Sequence, residues 1–259
     1  MPRQQRKKSN SGYYHVMIRG NDRKNIFLDE EDKQNFIEIL YQKKQENIYL
    51  LHAFCLMDNH VHLMLQEGEV DIANIMKRIN ISYVHYFNKK YKKIGHLFQD
   101  RFKSEGIEEE RYILALIKYI HQNPVKAGIT KTVEEYKWSS YAGYMQENHY
   151  YQKIVDTKMV LGLFSEDRQT AKRQFNEYVN QECTDEFIDI EEVEKMDEED
   201  AKNLFREMMN SLMEEKRDNN AQIMEEVIRI FRDKTNLSIR QIAAITGLNK
   251  DKINKMLRG

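Results

Sequence analysis

The sequence predicts an α+β protein: an antiparallel sheet with helices packed on it, followed by an all-α C-terminal region. Three observations carry that expectation. Segments 13–19, 48–57 and 60–66 are rich in aromatic and β-branched residues with the two-residue alternation of strands, and Asp58-Asn59 joins the last two as a tight turn. Segments 29–44, 71–93 and 108–123 repeat apolar residues at three- and four-residue steps, as amphipathic helices do. From about Ala201 onward only the helical pattern recurs.

Length and charge divide the chain. Its 259 residues, 41% of them hydrophobic, suffice for one large or two modest domains. The net charge of −1 hides an asymmetry. Residues 1–150 hold 23 basic against 19 acidic side chains, residues 151–220 hold 10 against 19, and residues 221–259 hold 8 against 4. The expected organisation is a first domain over 1–150, a helical acidic connector over 151–218 and a small basic module over 219–259. Two basic blocks suit a polyanion without proving one. Cys55 and Cys183 are far apart and fit a reducing compartment. No apolar run approaches the roughly 18–20 residues of a membrane span, and the N-terminus has no hydrophobic signal region, so the cytoplasm is expected and a membrane partner is not.

Taken in order, residues 1–10 are basic and aperiodic, an expected mobile arm. The strand 13–19 closes at Gly20-Asn21-Asp22, and a helix over 29–44 buries Phe36, Ile39 and Leu40. The hairpin 48–66 follows. The helix over 71–93 buries Ile72, Ile75, Met76, Ile79, Tyr83 and Phe87 and ends in a basic run around Tyr91. That run fits either cations at a helix C-terminus or a phosphate patch with a stacking ring. Residues 97–104 are a further strand candidate. The helix over 108–123 is expected to stop at Pro124, which lacks the N–H a helix needs. A helix over 167–181 and an acidic run over 182–200 lead to the C-terminal helices.

The chemistry centres on His60-Val61-His62. In a strand the two imidazoles share one face while Val61, Leu63 and Leu65 enter the core behind it. Such a pair is half of a metal site, or merely two polar residues on a wet face. Asn123 is the candidate third ligand. Its carboxamide oxygen suits Mg²⁺ or Mn²⁺, and the imidazoles pull toward Mn²⁺, Co²⁺ or Zn²⁺. Tyr119, one turn earlier at about 6 Å of helix rise, shares a face with Asn123 and is a candidate nucleophile, although most of the 15 tyrosines must serve packing or surface. Tyr112 shares that face but lies about 16 Å away along the axis.

These residues resemble a known family. His60-Val61-His62, the 14–21 strand with Tyr14-His15-Val16 and Arg19-Gly20-Asn21, the hairpin over 54–65, Gly95-His96-Leu97-Phe98-Gln99-Asp100-Arg101-Phe102, the Tyr119–Gly128 segment and Trp138-Ser139-Ser140-Tyr141 are similar, in order, to the motifs of HUH single-tyrosine transposases. These are the single-strand DNA enzymes of minimal insertion sequences and their REP-associated relatives. The resemblance spans roughly residues 12–145. It implies an HUH, ferredoxin-like sheet; a Mg²⁺ or Mn²⁺ ion on His60, His62 and Asn123; and attack by Tyr119 on single-stranded, hairpin-forming DNA, giving a 5′-phosphotyrosine and a free 3′-hydroxyl. Many members have Gln where Asn123 stands, and the REP-associated branch is closer to Asn. Family members act as homodimers or monomers, and the sequence does not choose. No glycine-rich phosphate loop is present, and the chemistry needs no nucleotide cofactor. The rivals are a non-catalytic DNA-binding regulator and a zinc hydrolase with a third His, Asp or Glu ligand.

Residues 239–258 fit a helix-turn-helix, a feature the minimal transposases lack. Ala243 permits close crossing, Gly247 makes the turn, and Ile253 closes the core. Asn249, Lys250, Lys252, Asn254 and Lys255 are then available to duplex DNA.

Overall fold

The computed structural model describes residues 8–181, 187, 198–215, 220–235, 237 and 239–257. The chain divides into two compact units, Met1–Asp189 and Ile190–Gly259.

The first unit is built on a four-stranded antiparallel sheet in the order β2-β3-β1-β4, with β1 at Tyr13–Arg19, β2 at Tyr49–Leu56, β3 at His60–Glu67 and β4 at Lys103–Gly106. Register follows the apolar alternation. Met17 lies opposite His62 and Arg19 opposite His60, so Tyr13, His15, Met17 and Arg19 share the histidine face. Tyr14, Val16, Ile18, Val61, Leu63 and Leu65 form the other face, all nearly or wholly inaccessible, in one core with Phe36 and Leu40 of α1 (Glu30–Gln45) and Ile75, Ile79 and Tyr83 of α2 (Ile72–Tyr91).

Several boundaries differ from expectation, each for a physical reason. Residues 1–7 of the expected arm lie outside the described residues, whereas Ser9 and Asn10 are pinned by the Tyr14 hydroxyl and the Glu108 carboxylate. The strand expected over 97–104 shrinks to β4. Residues 97–99 form no ladder and meet the end of β1 through an isolated Gly20–Phe98 bridge and a bond from Gln99 N–H to the Arg19 carbonyl. The basic end of α2 is largely structural. Lys90 binds the carboxylates of Asp29, Glu31 and Asp32, and the Tyr91 hydroxyl donates to Asp32 at 2.8 Å. These bonds anchor α2 to the start of α1, where Asp29 and Asp32 form a reciprocal cap.

Helix α3 (Glu110–Lys126) runs through Pro124 instead of stopping before it. Only one backbone bond is forfeited so near the end, and the turn closes when Gly128 takes a left-handed φ of 67° and its N–H reaches Val125. α3 packs on β2 and β3, covering the histidine face. Residues 138–140 then pair along β2, with Leu56 N–H donating to the Trp138 carbonyl and Ser140 N–H to that of Phe54. The compact unit also extends past residue 150. After α4 (Tyr141–Met145), Tyr151 and Ile154, then Val160 and Leu161 of α5 (Lys158–Gly162) and Ala171, Phe175 and Val179 of α6 (Arg168–Val179) are buried in the same core. The acidic surplus therefore begins beyond α6, in a stretch mostly outside the described residues.

His121 bolts α3 to β2. Its Nε2 lies 2.8 Å from Ser140 Oγ, which also accepts from Phe54 N–H. Complete burial pushes the His121 pKa down to about 3, and burial likewise lowers that of His52. A folded pKa below the unfolded value of about 6.5 means the unfolded chain binds the extra proton. Stability is then full above pH 6.5 and is lost as pH falls toward 3. For His121 the expected loss is about 2 kcal/mol between pH 6.5 and 5, a window above carboxylate titration. Urea midpoints across that range should fall, and His121→Gln should flatten the fall. An unchanged slope would remove His121 as its cause.

The second unit contains α7 (Glu198–Glu215), α8 (Asn220–Thr235), α9 (Ile239–Thr246) and α10 (Lys250–Met256). Ala201, Ile228, Phe231, Leu237, Ile242 and Ile253 make its core. Gly247 ends α9 at a φ of 69°, and Asn249 caps α10 by accepting from Asp251 N–H. No helix among the described residues is long and apolar enough to cross a membrane.

Candidate active site

The histidine face is closed over rather than wet. His62 is fully buried, Tyr119 is 2% exposed and Asn123 8%, with α3 lying across them, while His60 at the strand's mouth is half-buried. The rings of His60 and His62 stand 5.0 Å apart and nearly perpendicular. The Tyr119 ring lies 5.5 Å from that of His62. His60, His62, Tyr119 and Asn123 thus meet within one chain. Tyr112 is 44% exposed on the first turn of α3 and takes no part. Asn249, Lys250, Lys252, Asn254 and Lys255 belong to the other unit.

Hydrogen bonds set the tautomers. Asn59 turns its Nδ2 toward the Arg23 carbonyl, leaving Oδ1 to accept from His60 Nδ1–H at 2.6 Å. His60 Nε2 then presents a lone pair 3.3 Å from Asn123 Oδ1. With a neutral His60 ring two acceptors face each other there, an arrangement that a cation between them would relieve. Neighbouring ligands of an octahedral ion with bonds of about 2.1 Å stand about 3 Å apart. His62 Nε2 is buried with no hydrogen-bond partner among the described residues, and burial first, then His60 and His15, hold its pKa well below the usual value. A neutral imidazole with an open lone pair is what a metal ligand requires. The donor set therefore fits a divalent cation. Among the described residues no group of three His, Cys, Asp or Glu side chains could hold one, so the third donor of the zinc-hydrolase rival is missing there and an amide stands in its place.

Residues outside the expected set complete the surroundings. Lys126 carries its ammonium 5.0 Å over the Tyr119 ring, two turns along α3. Phe187 sets its ring 5.3 Å from that of Tyr119 and 6.0 Å from His15. His15 is wholly buried, 3.0 Å from His62. Its place was implicit in the alternation of β1 but needed the β1–β3 register to become visible. Nothing in the acidic run around Phe187 marks that residue out.

Comparison with known proteins bears on this site. The family described as IS200-like transposases matches residues 8–123, from ahead of β1 to Asn123. A Haemophilus influenzae protein named as a REP-associated tyrosine transposase is 30% identical over 102 residues, 34% of this chain and 57% of that protein. The REP-associated tyrosine transposase of Escherichia coli K12 is 25% identical over 100 residues, 38% of this chain and 58% of that one. The chain thus spans somewhat over half the length of these relatives. A solved REP-associated tyrosine transposase bound to a REP hairpin aligns over 61% of this chain and 94% of its own, at 19% identity and a TM-score of 0.49. The family match takes in His60, His62, Tyr119 and Asn123 together, so over residues 8–123 this chain is similar to the IS200-like transposases.

Proposed function

We propose that the first unit is a metal-dependent single-stranded DNA transferase that nicks and rejoins hairpin-flanked DNA through a 5′-phosphotyrosine. The observation that carries this reading is Tyr119 packed against His62, beside the paired lone pairs of His60 and Asn123. A Mg²⁺ or Mn²⁺ ion held by His60 Nε2, His62 Nε2 and Asn123 Oδ1 would neutralise charge on the scissile phosphate. Tyr119 Oη attacks phosphorus, the bond to the 3′ oxygen breaks, the phenol gives up its proton and the leaving oxygen takes one. Lys126 holds a positive charge over the Tyr119 ring, which draws the anionic phosphate toward it. The phosphotyrosine retains the energy of the broken bond, so a 3′-hydroxyl can reverse the step without a nucleotide cofactor.

In the second unit, α9 and α10 are proposed as a helix-turn-helix for duplex DNA. Lys250, Lys252 and Lys255 are exposed beside the capping Asn249, with Asn254 half-buried and Ile253 in the core. Replacing the three lysines by alanine should weaken duplex binding. The slope of log affinity against log salt should become shallower by roughly 0.9 for each phosphate that is no longer neutralised. An unchanged slope in fluorescence anisotropy would remove these lysines from the interface.

The competing reading, a DNA-binding regulator without catalysis, is favoured by the covering of Tyr119 by Phe187. Incubation with end-labelled hairpin oligonucleotides and Mg²⁺ or Mn²⁺ separates the two. A covalent adduct that disappears in Tyr119→Phe supports the transferase, whereas no adduct across varied hairpins supports the regulator.

A further inference from the structure

We propose that His15 is a positioning residue of this site. By accepting the Nδ1–H of His62 at its own Nε2, it fixes the tautomer and ring plane that direct His62 Nε2 at the cation. The inference rests on the metal-dependent reading above and extends it to a residue with no assigned role.

The sheet register creates the contact. Met17 lies opposite His62, so His15, two residues along β1, is its diagonal neighbour on the same face. Both side chains are fully inaccessible, their rings stack 5.2 Å apart at 23°, and His15 Nε2 lies 3.0 Å from His62 Nδ1. Tyr119 and Phe187 close round His15 at 5.9 and 6.0 Å, edge-on.

Two neutral imidazoles sharing one hydrogen bond have two possible arrangements. If His15 donates, the proton of His62 sits on Nε2. That atom, buried without a hydrogen-bond partner among the described residues, could then not serve as a ligand. If His62 donates, its Nε2 carries a bare lone pair and His15 holds its proton on Nδ1. Only the second arrangement allows His62 to ligate. Ligating histidines generally donate their other N–H to an oriented acceptor, and losing that acceptor typically weakens metal affinity 10- to 100-fold. On His60 the same part falls to Asn59 Oδ1. His15 acts through His62 and not as a further ligand, because its Nε2 is already engaged.

The test uses the full-length chain and the metal alone. Mn²⁺ titrations followed by electron paramagnetic resonance compare wild type with His15→Phe, which keeps a ring but removes the acceptor, and with His15→Gln, whose amide oxygen can accept. His15→Phe should bind Mn²⁺ about 10- to 100-fold more weakly, and His15→Gln should recover most of the affinity. Wild-type affinity in a folded His15→Phe would overturn the proposal, since a packing role is met by phenylalanine. A second measurement needs no substitution at His15. Long-range ¹H–¹⁵N correlation on the metal-free wild type, assigned against a His62→Gln spectrum, should show His62 protonated on Nδ1, and protonation on Nε2 would equally overturn it. A wild type that binds neither Mn²⁺ nor Mg²⁺ would count against the metal-dependent reading, while the tautomer would still decide for or against His15.

Discussion

His60→Ala is expected to cut adduct formation on a hairpin substrate by roughly 10³-fold or more in single-turnover assays. A ligated cation supplies several kcal/mol of charge stabilisation to a phosphoryl-transfer transition state, and each 1.4 kcal/mol is about a factor of ten. His60 is the cleaner of the two histidines to change. It is half-buried at the mouth of β3, so its removal leaves no sealed cavity, whereas His62 lies wholly inside. His62→Ala should lose activity equally and also lower the unfolding midpoint by several degrees, because it empties space between β3 and α3. A His60→Ala protein that forms adduct at wild-type rate would remove the cation from the mechanism.

Tyr119→Phe is the second large effect expected. The substitution deletes one oxygen from a ring that is 2% exposed and packed against His62, His15 and Phe187. The fold should survive with a midpoint within a few degrees of wild type, and hairpin binding should persist. Adduct formation should fall at least about 10³-fold, because removing a nucleophile removes the covalent step itself and not just its stabilisation. The pairing of intact binding with lost chemistry distinguishes a nucleophile from a packing tyrosine. Turnover by Tyr119→Phe near the wild-type rate would exclude it.

Much of the first unit could be read from local pattern. Strand alternation placed β1, β2 and β3 within a residue or two, and it put His60 and His62 on the face away from Val61, Leu63 and Leu65. Helical periodicity put Asn123 one turn beyond Tyr119. What escaped depended on contacts between segments distant in the chain. His15 joins the site only through the β1–β3 register, and Phe187 covers Tyr119 from a run whose composition says only that it is acidic. Lys90 and Tyr91 looked equally suited to a phosphate until Asp29 and Asp32 proved to occupy them. Pro124 misled for a different reason: the rule against helical proline is strong in a helix interior and weak in the final turn, where few bonds remain to lose. The unit's extension to α6 was hidden because the charge of 151–220 was averaged across two stretches, one packed on the core and one beyond it.

The most direct test of the central claim is mass spectrometry of the covalent adduct, trimmed with nuclease and digested with trypsin. Cleavage after Lys118 and Lys126 gives an eight-residue peptide in which Tyr119 is the sole tyrosine. A nucleotide linked through its 5′ phosphate to that peptide is the expected result. A nucleotide on any other peptide, that of Tyr112 included, would contradict the assignment of Tyr119 as the residue that holds the DNA.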